Sequence, residues 1–157
     1  MTFPLQQTTL ERPPEQAANS RLGASRNPAR LASREMPPPL PKAAVFISQN
    51  VANPMPKAST QTVSVTMRNV GTQTWPRGGQ YQLGSQNPRD NTRWGINRVP
   101  VPHDVPPNAD VTFTFPVQIR NAPGSQNFQW QMVEDGGTPF GQLTTNIEVK
   151  IIWVWLL

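Results

Sequence analysis

Val111-Thr112-Phe113-Thr114-Phe115-Pro116-Val117-Gln118-Ile119 alternates apolar and polar residues without a break. Side chains on a strand point to opposite faces with period two, so the stretch reads as a β-strand with one apolar face. Pro116 has no backbone donor and marks an edge or a bulge.

The same period extends outward on both sides. Val63, Val65 and Met67 alternate with Thr62, Ser64, Thr66 and Arg68, and Val45 and Ile47 alternate within Ala44–Asn50. Downstream, Phe128, Trp130 and Met132 alternate with glutamines, and Ile147, Val149, Ile151, Trp153 and Trp155 form a last strand. Shorter strands are predicted at Gln80–Gly84 and Trp94–Val99. Turn chemistry separates them at Asn69-Val70-Gly71, Arg77-Gly78-Gly79, Pro106-Pro107-Asn108, Pro123-Gly124 and Asp135-Gly136-Gly137. About seven short strands with one apolar face make an all-β protein, a β-sandwich, the natural architecture. Phe113, Phe115, Phe128, Trp130 and Met132 are its predicted core.

The chain has 157 residues with 19 prolines, no cysteine and a formal charge of +5. Proline in a helix interior costs about 3 kcal/mol, which argues against an all-helical protein. The lack of cysteine excludes a disulfide scaffold, a thiol nucleophile and thiolate zinc sites. His103 is the only histidine. The six acids after residue 43 are Asp90, Asp104, Asp110, Glu134, Asp135 and Glu148, and their spacing suggests no glycosidase pair. No Gly-x-Ser-x-Gly elbow, Walker loop or dinucleotide fingerprint is present. The expectation is a protein that is not an enzyme and has no cofactor or metal.

Residues 1–43 differ from the rest. They hold eight prolines and six basic residues but no Val, Ile, Trp or Tyr. Such a segment buries too little apolar area to offset an ordering cost of roughly 1–2 kcal/mol per residue. The expected organisation is a proline-rich extended arm over 1–43 and a sandwich over 44–157. Within the arm, Asn27 can cap a short helix that Pro28 opens and Pro37-Pro38-Pro39 stops. Arg26, Arg30 and Arg34 would share one face of it, either solvated or in contact with a partner's phosphates.

Both faces of the terminal strand are apolar from Ile151 onward. A strand with one wet face alternates, so this segment is either covered on both sides or docked to another chain. Contact with a partner through Trp153 and Trp155 is the expectation.

Several stretches also resemble a known family. They are Ser48-Gln49-Asn50-Val51, Val63-Ser64-Val65-Thr66-Met67-Arg68-Asn69 and Gly71-Thr72-Gln73-Thr74-Trp75. Tyr81-Gln82-Leu83-Gly84-Ser85-Gln86-Asn87-Pro88, Asp90-Asn91, Trp94-Gly95-Ile96-Asn97-Arg98-Val99 and Asn127-Phe128-Gln129-Trp130-Gln131-Met132 complete the set. Together they are similar to the four-tryptophan Ig-like domain, found in selective-autophagy cargo receptors and bacterial multi-domain proteins. The resemblance covers about residues 44–150 and not the arm. It implies an immunoglobulin-like β-sandwich acting as a non-enzymatic binding or spacer module. Three of the family's tryptophans fall on Trp75, Trp94 and Trp130. The fourth normally precedes a Phe-Gly pair, which here is Phe140-Gly141 preceded by Pro139. Trp75 and Trp94 either pack over an edge of the sandwich or bind a partner.

These features give the functional expectation. It is a structural or binding module of a large assembly, an accessory (decoration) protein of a bacteriophage virion held by its arm and terminal strand. Its partners would be capsid or tail proteins in a multi-copy particle. The start of the chain has no basic segment followed by an apolar run, and no run reaches the ~20 apolar residues of a membrane span. Cytoplasmic synthesis without Sec export, and no membrane insertion, are therefore expected. The alternative is a module that recognises protein or carbohydrate. Nucleic-acid binding by the arginine arm ranks third, because the arm has no aromatic besides Phe3 for base stacking.

Overall fold

A computed structural model describes residues 36–155. The arm's candidate helix, with Arg26, Arg30 and Arg34, lies outside the described residues, as do Leu156 and Leu157. The strands are β1 (Ala44–Asn50), β2 (Met55–Pro56), β3 (Thr60–Asn69), β4 (Tyr81–Ser85) and β5 (Arg98–Pro100). They continue as β6 (Asp110–Gln118), β7 (Gly124–Phe128), β8 (Trp130–Glu134), β9 (Thr138–Phe140) and β10 (Ile147–Ile152). The sheet orders are β1-β3-β6, β2-β10-β7 and β5-β4-β8-β9.

The period-two pattern decides the central pairing. β3 and β6 run antiparallel with Val63 opposite Phe115, Val65 opposite Phe113 and Met67 opposite Val111. All six side chains are buried. The intervening residues face outward, where the Thr66 and Thr112 hydroxyls lie 2.8 Å apart. The other wall changes partner within one residue. β7 pairs with β10, whereas β8, beyond Gln129, pairs with β4 and β9. Gln129 thus joins two sheets, and Phe128, Trp130, Met132, Val149 and Ile151 enter the core from both.

Aromatic rings fill the interior. Phe115 meets Trp130 edge-on at 4.9 Å, Trp130 meets Phe128 at 5.7 Å, and Phe128 meets Trp94 edge-on at 5.6 Å. Such edge-to-face pairs contribute about 0.5–1.5 kcal/mol beyond their area burial. Phe113 and Met132 are also fully buried.

Three local expectations change. In β1 the residues turned to the core are Ala44 and Phe46, not Val45 and Ile47, because they stand opposite the buried Asn69 and Met67 of β3; the register shifts only after Phe46. The predicted strand Trp94–Val99 shrinks to Arg98–Pro100, since Trp94 and Gly95 lie in a turn closed from Gly95 N–H to the Thr92 carbonyl. The last strand ends at Ile152 instead of running through Trp155.

The compact unit that carries the strands begins at Pro39. The Leu40, Pro41 and Ala43 carbonyls accept from backbone N–H groups of Val70, Thr72 and Gln73. Gly71 makes this approach feasible: a Cβ there would collide with the Pro41 carbonyl and sit 2.9 Å from Ala43 N. Residues 40–43 therefore join the sandwich rather than the arm.

Across the outer face, Arg68 grips Asp110 with two bonds, Nε to Oδ1 at 2.6 Å and Nη2 to Oδ2 at 3.1 Å. Hydrogen bonding from Arg68 holds the Asp110 carboxyl below its ordinary value of 3.8. A lowered folded-state pKa stabilises the fold above the ordinary value, and that stabilisation disappears as pH falls through the lowered one. Asp110→Asn is expected to flatten the acid limb of the stability profile below pH 3.8. Denaturant unfolding of both proteins across a pH series measures it.

Candidate partner-binding surfaces

Among the described residues, the most exposed aromatic surface is built where β10 runs out of partners. β2 is only two residues long, and its parallel pairing with β10 ends at Pro56 opposite Ile152. Lys57 N–H donates to the Ile152 carbonyl at 2.9 Å, and the chain then leaves the sheet. Trp153, Val154 and Trp155 are 53%, 58% and 81% exposed. The two indoles stack, with centroids 6.4 Å apart and planes at 28°. The Lys57 ammonium sits 3.8 Å from the Trp153 centroid, a cation–π contact that fixes the base of the tail.

The loops beside the tail are basic. Ala58 N–H donates to the Arg120 carbonyl, Lys57 Nζ to Asn121 Oδ1, and Gln126 Nε2 to the Arg93 carbonyl. Segments 56–59, 92–95, 119–125 and 150–155 thus contribute Lys57, Arg93, Arg120 and Lys150 and no acid. Glu148, just below on β10, pairs with Lys150 at 3.2 Å. An apolar tip within a cationic collar favours an apolar surface carrying negative charge.

A second surface is polar. The loop after β4 is braced through Asn91, whose Nδ2 donates to the Gln86 and Pro88 carbonyls and whose carbonyl accepts from Ser85 Oγ. Asp90 N–H donates to the Ser85 carbonyl at 2.9 Å. This arrangement presents Asp90 to Arg98, with which it forms an ion pair, while Arg89 approaches at 3.7 Å. Asp90, Arg98, Gln82, Glu134 and the Asp135-Gly136-Gly137 turn line a cleft of about 280 Å³. Glu134 is itself held by Lys42 and by Gln80 Nε2.

Trp75 and Trp94 do not belong to either surface. They are 0% and 1% exposed. Trp75 exchanges two backbone hydrogen bonds with Val105, at 3.0 and 2.9 Å, and its ring packs edge-on to Phe140 at 5.9 Å. Trp94 Nε1 donates to the Asn127 carbonyl at 2.9 Å. Direct partner contact by either ring therefore gives way to a core role, since neither offers surface to touch. Among the described residues, Trp153 and Trp155 are the expected contact residues that are exposed. In sequence, the polar residues Asp90, Asn91 and Arg93 before Trp94 suit a loop bonded to itself or one that meets a partner; Asn91 braces the loop, and Arg98 joins the cleft from the following strand.

The Asp104 carboxylate accepts from Arg77 N–H at 2.7 Å, and the His103 ring lies 2.9 Å from the Asp104 carbonyl. Among the described residues no group of three or more His, Cys, Asp or Glu could hold a metal ion. No helix among them is long and apolar enough to cross a membrane.

The family model described as the Ig-like domain from next to BRCA1 gene matches residues 50–149. The chain belongs to that Ig-like family. Its fold is accordingly an immunoglobulin-like β-sandwich. No curated protein matches the chain. The family's span runs from the last residue of β1 into β10 and includes Trp75, Trp94, Trp130 and the Asp90–Arg98 cleft. It ends at Val149, before the exposed run Ile152–Trp155.

Proposed function

We propose that the chain is a non-enzymatic structural and binding module of a large multi-copy assembly, an accessory (decoration) protein of a bacteriophage virion. In this reading the domain is of the four-tryptophan type, with Trp75, Trp94 and Trp130 in place and Pro139 where the fourth would stand. The proline-rich arm and the C-terminal tail attach it to neighbouring capsid or tail proteins, and the sandwich projects outward. One observation carries the proposal: the exposed run Ile152–Trp155, with Lys57 against its base, continues from the end of β10. Burying an aliphatic or aromatic side chain contributes about 1.5–3 kcal/mol, so this tail has the capacity to hold a partner.

Deleting residues 153–157 tests it. Ile151 and its pairing with β7 remain, so the truncated protein is expected to keep its circular dichroism and unfolding midpoint. Its attachment to particles is expected to weaken at least about tenfold, the equivalent of about 1.4 kcal/mol. Quantitative mass spectrometry of purified particles reads the copy number. A protein found only as a free monomer, or unchanged attachment after truncation, rejects the proposal.

The second reading is recognition of protein or carbohydrate. It rests on the braced loop and the Asp90–Arg98 cleft rather than on the buried Trp75 and Trp94. A glycan array response abolished by Arg98→Ala would favour it. The arginine arm remains the third reading, and phosphate-driven binding would have to fall steeply with salt in a gel shift.

A further inference from the structure

The tip of the β8–β9 hairpin is Asp135-Gly136-Gly137, and Asp135 and Gly136 are both exposed. The Gly136 backbone nitrogen lies 3.0 Å from Asp135 Oδ1. A Cβ at Gly136 would meet nothing within 4 Å. The Gly136 N–H therefore donates to the preceding carboxyl group, and the residue that carries it has no side chain to crowd the approach.

The other aspartates are held differently. Asp110 is gripped by Arg68 and Asp90 by Arg98, and the Asp104 carboxylate accepts from Arg77 N–H. Each precedes a residue with a side chain, Val111, Asn91 and Val105. Asp135 takes part in none of the salt bridges among the described residues.

We propose that Asp135-Gly136 is a site of spontaneous covalent modification, the isomerisation of aspartate to isoaspartate. The Gly136 nitrogen attacks Cγ of the protonated Asp135 carboxyl. The N–Cγ bond forms and the Cγ–OH bond breaks; the hydroxyl leaves with the amide proton as water, giving a cyclic succinimide. Water then opens the ring. Addition at Cγ breaks N–Cγ and restores aspartate. Addition at the backbone carbonyl breaks its bond to nitrogen and leaves the chain running through Cγ. Nothing is oxidised or reduced, and water is the sole co-reactant.

The product lengthens the backbone of a pinned turn by one methylene. Asp135 N–H is bonded to the Gln80 carbonyl and Gly137 N–H to the Glu134 carbonyl, at 2.6 and 2.8 Å. A Cβ on Gly137 would lie 3.0 Å from Arg89 Nη2 and 3.3 Å from Arg98 Nη2. Isomerisation therefore reshapes the wall of the polar cleft and moves its Asp135 carboxylate.

The test is to age the purified full chain at neutral pH and body temperature and map its peptides by electron-transfer fragmentation, which separates isoaspartate from aspartate. IsoAsp135 is expected to accumulate severalfold faster than isoaspartate at Asp90, Asp104 or Asp110. Gly136→Ala is expected to slow it severalfold by crowding the nitrogen and by straining the turn, since Gly136 has a φ of 85°. Asp135→Glu leaves the backbone of the turn intact and forces a slower six-membered closure, so loss of the product is expected there too. Equal rates at all four aspartates, or unchanged accumulation in the Gly136→Ala variant, overturn the proposal.

Discussion

Trp130→Ala is expected to lower the unfolding free energy by about 3–5 kcal/mol, the range for deleting a fully buried aromatic side chain. Trp130 is 0% exposed and touches Phe115 from the opposite sheet and Phe128 from its own wall. Its loss opens a cavity at the one place where the aromatic run crosses between layers. Trp130 Nε1 has no hydrogen-bond partner among the described residues, so the loss is one of packing. Urea unfolding measures it as a lower midpoint at unchanged slope. A change below about 1 kcal/mol would mean that the surrounding core collapses freely into the space, contrary to the close packing of interiors.

Asn69→Ala is expected to cost about 1–3 kcal/mol through a different mechanism. Asn69 is a buried polar side chain in a hydrophobic end of the sandwich. Its Nδ2 donates to the Gln73 and Val105 carbonyls at 2.8 and 2.9 Å, and its Oδ1 accepts from Gly71 N–H at 3.0 Å. Alanine leaves the buried Gly71 N–H unsatisfied, while the Val105 carbonyl keeps its bond from Trp75 N–H and the Gln73 carbonyl lies on an exposed residue; a buried group left unsatisfied costs about 1–3 kcal/mol. Val70→Ala, at the exposed neighbour, is the control and is expected to change stability by less than about 0.5 kcal/mol. Equal unfolding midpoints for Asn69→Ala and Val70→Ala would remove Asn69 from this role.

The strands that the sequence reveals best are those whose two faces see different solvents. β3, β6 and β10 alternate because one face is core and the other water, and this is local information. β2 and β9 are short pairings of two and three residues and carry Pro56 and Pro139, and β2 also depends on β10, far along the chain. The partner change at Gln129 is invisible for another reason. Both walls face one common interior, so alternation through Phe128-Gln129-Trp130 continues while the hydrogen-bonding partners change. Trp75 and Trp94 carry loop signals, Pro76 and Gly95, yet their rings are enclosed by Val105, Phe140, Phe128 and Asn127, all at least 30 residues away. The apolar terminal run was legible as unusual, but where β10 would stop depended on the length of β2.

The register also fixes how the sandwich carries load. β1 begins at Ala44 opposite Asn69, at the far end of β3 from Thr60. The tail departs beside Lys57, three residues before Thr60. Entry and exit therefore lie at opposite ends of the strands. Tension applied between Ala44 and Ile152 runs along the strands, so the β1–β3 and β10–β7 ladders are sheared and their hydrogen bonds share the force. Peeling would break them one by one. Resistance to such pulling is governed by the unfolding rate rather than by equilibrium stability. A sandwich loaded between these two points is a stiff tensile link, able to bear strain that would unzip one tethered by two ends on the same side.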